Sequence, residues 1–137
     1  MVLYISHECW QGRASSFHKW RNEIAEYGGY QIVQKTRNTK YIDNFTFKQA
    51  DIDYSIYVEK NYQGEWDKDP IDPLLILIVH SDSIGCIYPA HQIILANRLE
   101  EILSKIDPSE FLLISLTQRF ISGLRLASTL KETVEFY

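Results

Sequence analysis

Cysteine is scarce in this sequence: Cys9 and Cys86 are the only two among 137 residues. Two thiols are too few for the cross-linked scaffold of a small secreted protein and suit a reducing compartment. A surplus of basic residues is also missing, since 18 acids against 14 bases leave a formal charge of −4. That balance disfavours a general phosphate-backbone binder, which concentrates Lys and Arg to displace counterions. Long apolar runs are lacking too. The longest, residues 74–79, is about a third of a membrane span. Residues 1–5 are followed by His7 and Glu8, without a basic n-region or a cleavage-like run of small residues. These absences lead to the expectation of a soluble, cytoplasmic protein with no membrane span and no nucleic-acid partner. No repeat or low-complexity segment appears.

The chain is instead rich in packing material, with 45% apolar and 13% aromatic residues, including nine Tyr and three Trp. A domain of this length buries roughly 65–70% of its unfolded surface, enough for one core. One domain over residues 1–137 is expected, with residues 30–60 forming either a hairpin or a long loop.

Residues 1–5 (MVLYI) read as a strand. Ser15 or Ser16 can then cap a helix whose Phe17, Trp20, Ile24 and Tyr27 share one face, leaving Lys19, Arg21, Glu23 and Glu26 on the other. Gly28 and Gly29 suit its end. Short β-favouring pieces follow at residues 30–33 and 54–58. The stretch between them is locally basic, with Lys35, Arg37, Lys40 and Lys48 against Asp43, and reads as solvated.

Residues 74–79 are a buried strand or a helical turn, which a six-residue apolar run does not distinguish. Pro89 suits the first turn of a helix carrying the stripe Leu95, Leu99, Ile102, Leu103 and Ile106. Asp107, Pro108 and Glu110 spell a capping box for another helix, with Leu113, Leu116, Phe120, Leu124 and Ala127 inward. Residues 134–137 return to β-favouring types and are expected to pair with the N-terminal strand. The fold class is therefore α+β: three main helices with a small sheet of short strands in a single layered domain.

Candidate chemistry is sparse. Residues 80–91 (HSDSIGCIYPAH) imitate part of a calcium loop, but only Asp82 offers a carboxylate, so the ligand shell is missing. The bland reading is a turn bent at Gly85 with Ile87 plugging the core. His80, Ser81 and Asp82 name a hydrolase triad, yet sequence neighbours point apart and cannot relay a proton along one line. A small hydrolase using His80 and Asp82 with a distant Cys or His is kept as a minor alternative. His7, Cys9, Cys86 and His91 could form a zinc shell only if two segments met, and they lack a finger spacing. No catalytic residue, metal or cofactor is assigned.

The acidic turn at residues 61–73 (NYQGEWDKDPIDP) carries more weight. Its Gly and Pro residues favour a surface turn that gathers Glu65, Asp67, Asp69 and Asp72 around Trp66. An aromatic with a negative rim is a protein-docking composition; the bland alternative folds the tryptophan back into the core.

Three segments carry a family likeness: SSFHKWR (residues 15–21), then EW at Glu65 and Trp66 with DPLLILIVHSDSIGCIYP (72–89), and FISGLRLASTLKETVEFY (120–137). Together they resemble a family of small, mostly uncharacterised bacterial proteins, some of which are immunity proteins of contact-dependent growth inhibition or other polymorphic toxin systems. The chain departs from that pattern at Ile84, where an acidic or polar residue is usual, and in residues 30–60. The resemblance implies a cytoplasmic, non-enzymatic protein that neutralises the C-terminal domain of a cognate toxin by binding it, a basic nuclease being one suitable target. Glu65, Trp66, Asp67, Asp69 and Asp72 are the expected partner-binding residues. A non-catalytic adaptor or regulator is the alternative.

Overall fold

The computed structural model describes residues 2–34, 45–49, 52–53, 63–81 and 83–137. Strand β1 (Val2–Ile5) alternates as a half-buried strand should, with Leu3 and Ile5 inward and Val2 and Tyr4 outward. It pairs antiparallel with β2 (Trp10–Arg13), Ile5 opposite Trp10. The reversal is a tight turn in which His7 and Glu8 both take positive φ, at 59° and 60°, and Cys9 N–H donates to the Ser6 carbonyl at 3.2 Å. Asn and Gly usually occupy such positions, because a Cβ there crowds the backbone. Tertiary contacts hold it: Arg119 Nε donates to the Glu8 carbonyl at 2.9 Å, and His7 Nε2 lies 3.1 Å from Glu132 Oε1.

Helix α1 (Ala14–Tyr27) starts directly from β2, with Arg13 at the N-cap and no side-chain cap, so neither Ser15 nor Ser16 plays the expected part. Both serines lie inside the helix. At the other end Gly29, at φ 94°, lets Tyr30 N–H reach the Ala25 carbonyl and Gly29 N–H the Glu26 carbonyl, the paired reversal for which glycine is suited. Phe17, Trp20 and Ile24 are buried as their spacing predicts. Arg21 is the exception to the expected polar face: it is fully buried, its guanidinium 5.3 Å above the Phe17 ring, donating to the His80 carbonyl and lying 2.9 Å from His18 Nδ1. Burial of so large a cation is tolerated because carbonyl and ring π-electrons replace water around it.

Strands β3 (Gln31–Gln34), β4 (Phe45–Gln49) and β5 (Ile52–Asp53) form a second antiparallel sheet in that order. The strand expected at residues 30–33 is thus present one residue later; the piece at 54–58 lies outside the described residues. Helix α2 (Leu75–Ile78) resolves the apolar run as one helical turn. Its residues are buried on every side, which is why they show no periodicity.

Strand β6 (Gly85–Ile87) leads into α3 (Pro89–Leu103), which packs against α4 (Phe111–Leu130). Leu95, Leu99, Ile102 and Ile106 meet Leu113, Phe120, Leu124 and Ala127 in the core, with Leu103 and Leu116 half-buried. The capping box does not form. Asp107 caps a separate turn by accepting from Ser109 N–H at 2.9 Å, and the Glu110 carboxylate accepts from the Tyr27 hydroxyl at 2.5 Å. Glu110 has left the box for a tertiary partner, and α4 begins after it.

Strand β7 (Val134–Phe136) runs antiparallel between β1 and β6, giving the order β2-β1-β7-β6 and meeting the expectation that the C-terminal segment pairs with the N-terminal strand. Gly123 marks where α4 touches the hairpin: a Cβ there would lie 2.4 Å from Cys9 Sγ and 2.8 Å from the His7 carbonyl. Trp10, Phe17, Trp20, Phe120 and Phe136 fill the space between sheet and helices, with the Trp20 and Phe120 rings stacked at 5.0 Å. The chain is α+β, with α1, α3 and α4 as its main helices; its short strands form two small antiparallel sheets where a single one was expected.

Candidate acidic docking surface

The acidic segment is fastened at both ends. At its start, Cys86 N–H and Sγ both reach the Gln63 carbonyl, at 3.1 and 3.8 Å, so Gln63 lies along β6. Gly64 follows at φ 92°, where a Cβ would meet the Cys86 carbonyl oxygen at 1.8 Å. Only glycine fits that approach.

At its end, Asp72 is a structural clamp. Oδ1 accepts from Leu74 N–H at 2.9 Å and Arg98 Nε at 3.0 Å; Oδ2 accepts from the Tyr30 hydroxyl at 2.8 Å and Arg98 Nη2 at 3.3 Å. Arg98 Nη2 also donates to the Gly28 carbonyl at 3.1 Å, tying α1, α3 and the loop together. Burial alone would raise the Asp72 pKa, but the hydrogen bonds from Arg98, Leu74 and Tyr30 outweigh it and hold the carboxyl below its ordinary range.

Between these anchors, Asp69 Oδ1 lies 3.3 Å from Nε2 of the buried His91 in the first turn of α3, while its own side chain is 76% exposed. Trp66 is half-buried against the core. Glu65 and Asp67 are exposed. Of the five residues singled out from sequence, Glu65, Asp67 and Asp69 are therefore exposed, Trp66 is half-buried against the core, and Asp72 is spent within the fold. Sequence reading passed over Arg98 and Tyr30, the partners that set the loop's position. The step from Asp72 to Leu74, two residues apart, was the one local signal, since Asp commonly accepts from the N–H two residues on.

The other candidates occupy different settings. His80 is fully buried, its ring stacked on Phe136 at 4.0 Å, with Nδ1 2.8 Å from the Ser81 carbonyl and Nε2 3.1 Å from the Cys86 carbonyl. Burial pulls its pKa down to about 4, against the opposing effect of those carbonyls. Asp82 lies outside the described residues. Gly85, at φ 109°, and Ile87, fully buried, take the turn and core positions of the bland reading. Cys9 and Cys86 are free thiols; burial pushes Cys9 up to about 12 despite nearby Arg119. Cys9 Sγ faces the Phe120 carbonyl, whereas His7 faces Glu132 and His91 faces Asp69. Among the described residues no three His, Cys, Asp or Glu side chains are placed to share a metal ion.

Comparison with models of protein families, with curated proteins and with solved structures finds no match to the chain. Among the described residues, no helix is long and apolar enough to cross a membrane.

Proposed function

We propose that the chain is a cytoplasmic immunity protein, which binds and neutralises the C-terminal domain of a cognate bacterial toxin without catalysing a reaction. The observation that carries this reading is the doubly anchored acidic loop. Glu65, Asp67 and Asp69 project from a segment fixed by Gln63 and Gly64 at one end and by Asp72 at the other. A loop already held in place loses little conformational freedom on binding, so more of its contact energy is available for affinity. Outward carboxylates attract a basic partner, and a basic nuclease domain has that chemistry. They raise the association rate more than they raise final affinity. The family likeness of residues 15–21, 65–66, 72–89 and 120–137 supports the same reading. The hydrolase alternative draws less support, because His80 is enclosed and both its ring nitrogens face carbonyl oxygens.

The test is titration of the full chain against the C-terminal domain of the toxin encoded beside it. A 1:1 complex is expected, with an association rate that falls as salt screens the carboxylates. Combined Glu65→Gln, Asp67→Asn and Asp69→Asn should slow association by about tenfold with little change in melting temperature. Absence of a complex at micromolar concentrations would overturn the proposal.

A further inference from the structure

The four-stranded sheet has a covered face and an open one. Inward, Leu3, Ile5, Ile87, Val134 and Phe136 are buried. Outward, Tyr4 and Tyr137 stand opposite each other, exchanging backbone hydrogen bonds at 3.3 and 2.8 Å, with their rings 5.7 Å apart. Glu135 lies opposite Cys86, two residues before Tyr88. Tyr4 and Tyr88 are each 41% exposed and Tyr137 is 63% exposed. The Tyr137 hydroxyl donates to Glu135 Oε2 at 2.9 Å, which leaves Oε1 unpaired, and this bond to the carboxylate raises the Tyr137 pKa. The acidic loop borders the same face, because Gln63 lies along β6 and Gly64 packs on the Cys86 carbonyl. Glu65 is thereby brought near Tyr88, whose pKa is raised by the Cys86 side chain first and by the charge of Glu65 last. We propose that this open face is the second half of the toxin-binding surface, with Tyr4, Tyr88 and Tyr137 as anchors that receive arginine or lysine side chains of the basic toxin domain.

The inference rests on the immunity reading and assigns to it the residues that keep the complex together. Size requires more than the loop: a standard stable interface takes about 20–30 residues per side, and residues 63–72 alone are too few. Carboxylates at a rim speed encounter, whereas slow dissociation depends on anchors, among which Tyr is enriched. Charge selects the occupant. The face carries Glu135 at its centre, Glu65 beside Tyr88 and Arg13 at the far corner opposite Val2, so its β6–β7 half is negative. Neutral tyrosine rings beside carboxylates attract a cation through both the π face and the negative charge. A phosphate backbone would be repelled there, and a second copy laid face to face would meet the same sign.

The test is the kinetics of the full chain with the C-terminal domain of the toxin encoded beside it, read for association and dissociation separately. Tyr4→Ala, Tyr88→Ala and Tyr137→Ala should each speed dissociation by about tenfold while leaving the association rate and the melting temperature unchanged. Tyr88→Phe should stay within about twofold of wild type, because the π face is kept, whereas Tyr88→Leu should lose about as much as Tyr88→Ala. A complex whose association slows on loss of Glu65, Asp67 and Asp69, yet whose dissociation ignores all three tyrosines, overturns this inference and spares the immunity reading. Absence of any complex overturns both. Tyr88→Leu binding as tightly as wild type removes the cation from the face. A free chain that is dimeric at about 100 µM, and monomeric as Tyr88→Ala, hands the face to a second copy and likewise overturns the proposal.

Discussion

Replacing Asp72 with Asn tests whether the acidic loop is locked to the helices beneath it. The wild-type carboxylate accepts two hydrogen bonds from Arg98, one from the Tyr30 hydroxyl and one from Leu74 N–H. Asparagine preserves the shape and one acceptor oxygen, so the bonds at the second oxygen go and Arg98 loses its countercharge. Breaking a buried ion pair costs about 3–5 kcal/mol, and an exposed pair contributes about 0–1 kcal/mol. With side chains 12% and 16% exposed, Asp72 and Arg98 fall between these limits. A loss of about 2 kcal/mol is therefore expected at pH 7, a large part of a typical domain's margin. The folded-state pKa of Asp72 is depressed, so its stabilising effect is complete above the ordinary value of 3.8 and disappears as pH falls through the lower folded value. Urea unfolding should thus show a constant gap between wild type and Asp72→Asn from neutral pH down to about pH 4, closing at lower pH. A double-mutant cycle with Arg98→Met should assign most of the loss to the pair. A difference below about 0.5 kcal/mol, or one independent of pH, would refute the clamp.

Three further outcomes follow from the core. His80 has its folded pKa lowered from 6.5 to about 4, so wild-type stability should be complete above pH 6.5 and decline as pH falls toward 4; this part of the pH dependence should vanish in His80→Gln, read by urea midpoints. Gly123→Ala should cost about 1–3 kcal/mol by forcing a methyl group against Cys9 Sγ and the His7 carbonyl, whereas Ser122→Ala, on the exposed side of the same helix, should leave the melting temperature nearly unchanged. Thr117→Val should orphan Trp20 Nε1, which donates to Thr117 Oγ1 at 3.0 Å, and cost about 1–3 kcal/mol in denaturant unfolding followed by tryptophan fluorescence.

Local pattern made much of the fold legible. Apolar spacing marked the inward faces of α1, α3 and α4, Gly28 and Gly29 marked the end of α1, and Pro89 marked the start of α3. These signals are readable because the helical period and the conformational limits of Gly and Pro act within a few residues. Arg21 escaped the same reading. Its position in the helical period allowed either a solvent face or a flank, and the His80 carbonyl and Phe17 ring that make burial tolerable are supplied by the fold. Glu110 shows a similar limit: three residues after Asp107 it suits a capping box, yet Tyr27, 83 residues away in sequence, captures its carboxylate.

The acidic loop divides along the same line. Its composition, with Gly64, two prolines and four acids, already pointed to an exposed negative turn around Trp66, because the preferences of those residue types act locally. Which carboxylates face outward was decided by tertiary structure alone. Asp72 is drawn in because α1 and α3 bring Tyr30 and Arg98 to the same point, while Asp67 stays exposed. Residue type and short spacing select helices, turns and charge; three-dimensional proximity of residues distant in sequence selects which of those charges the fold consumes and which it presents.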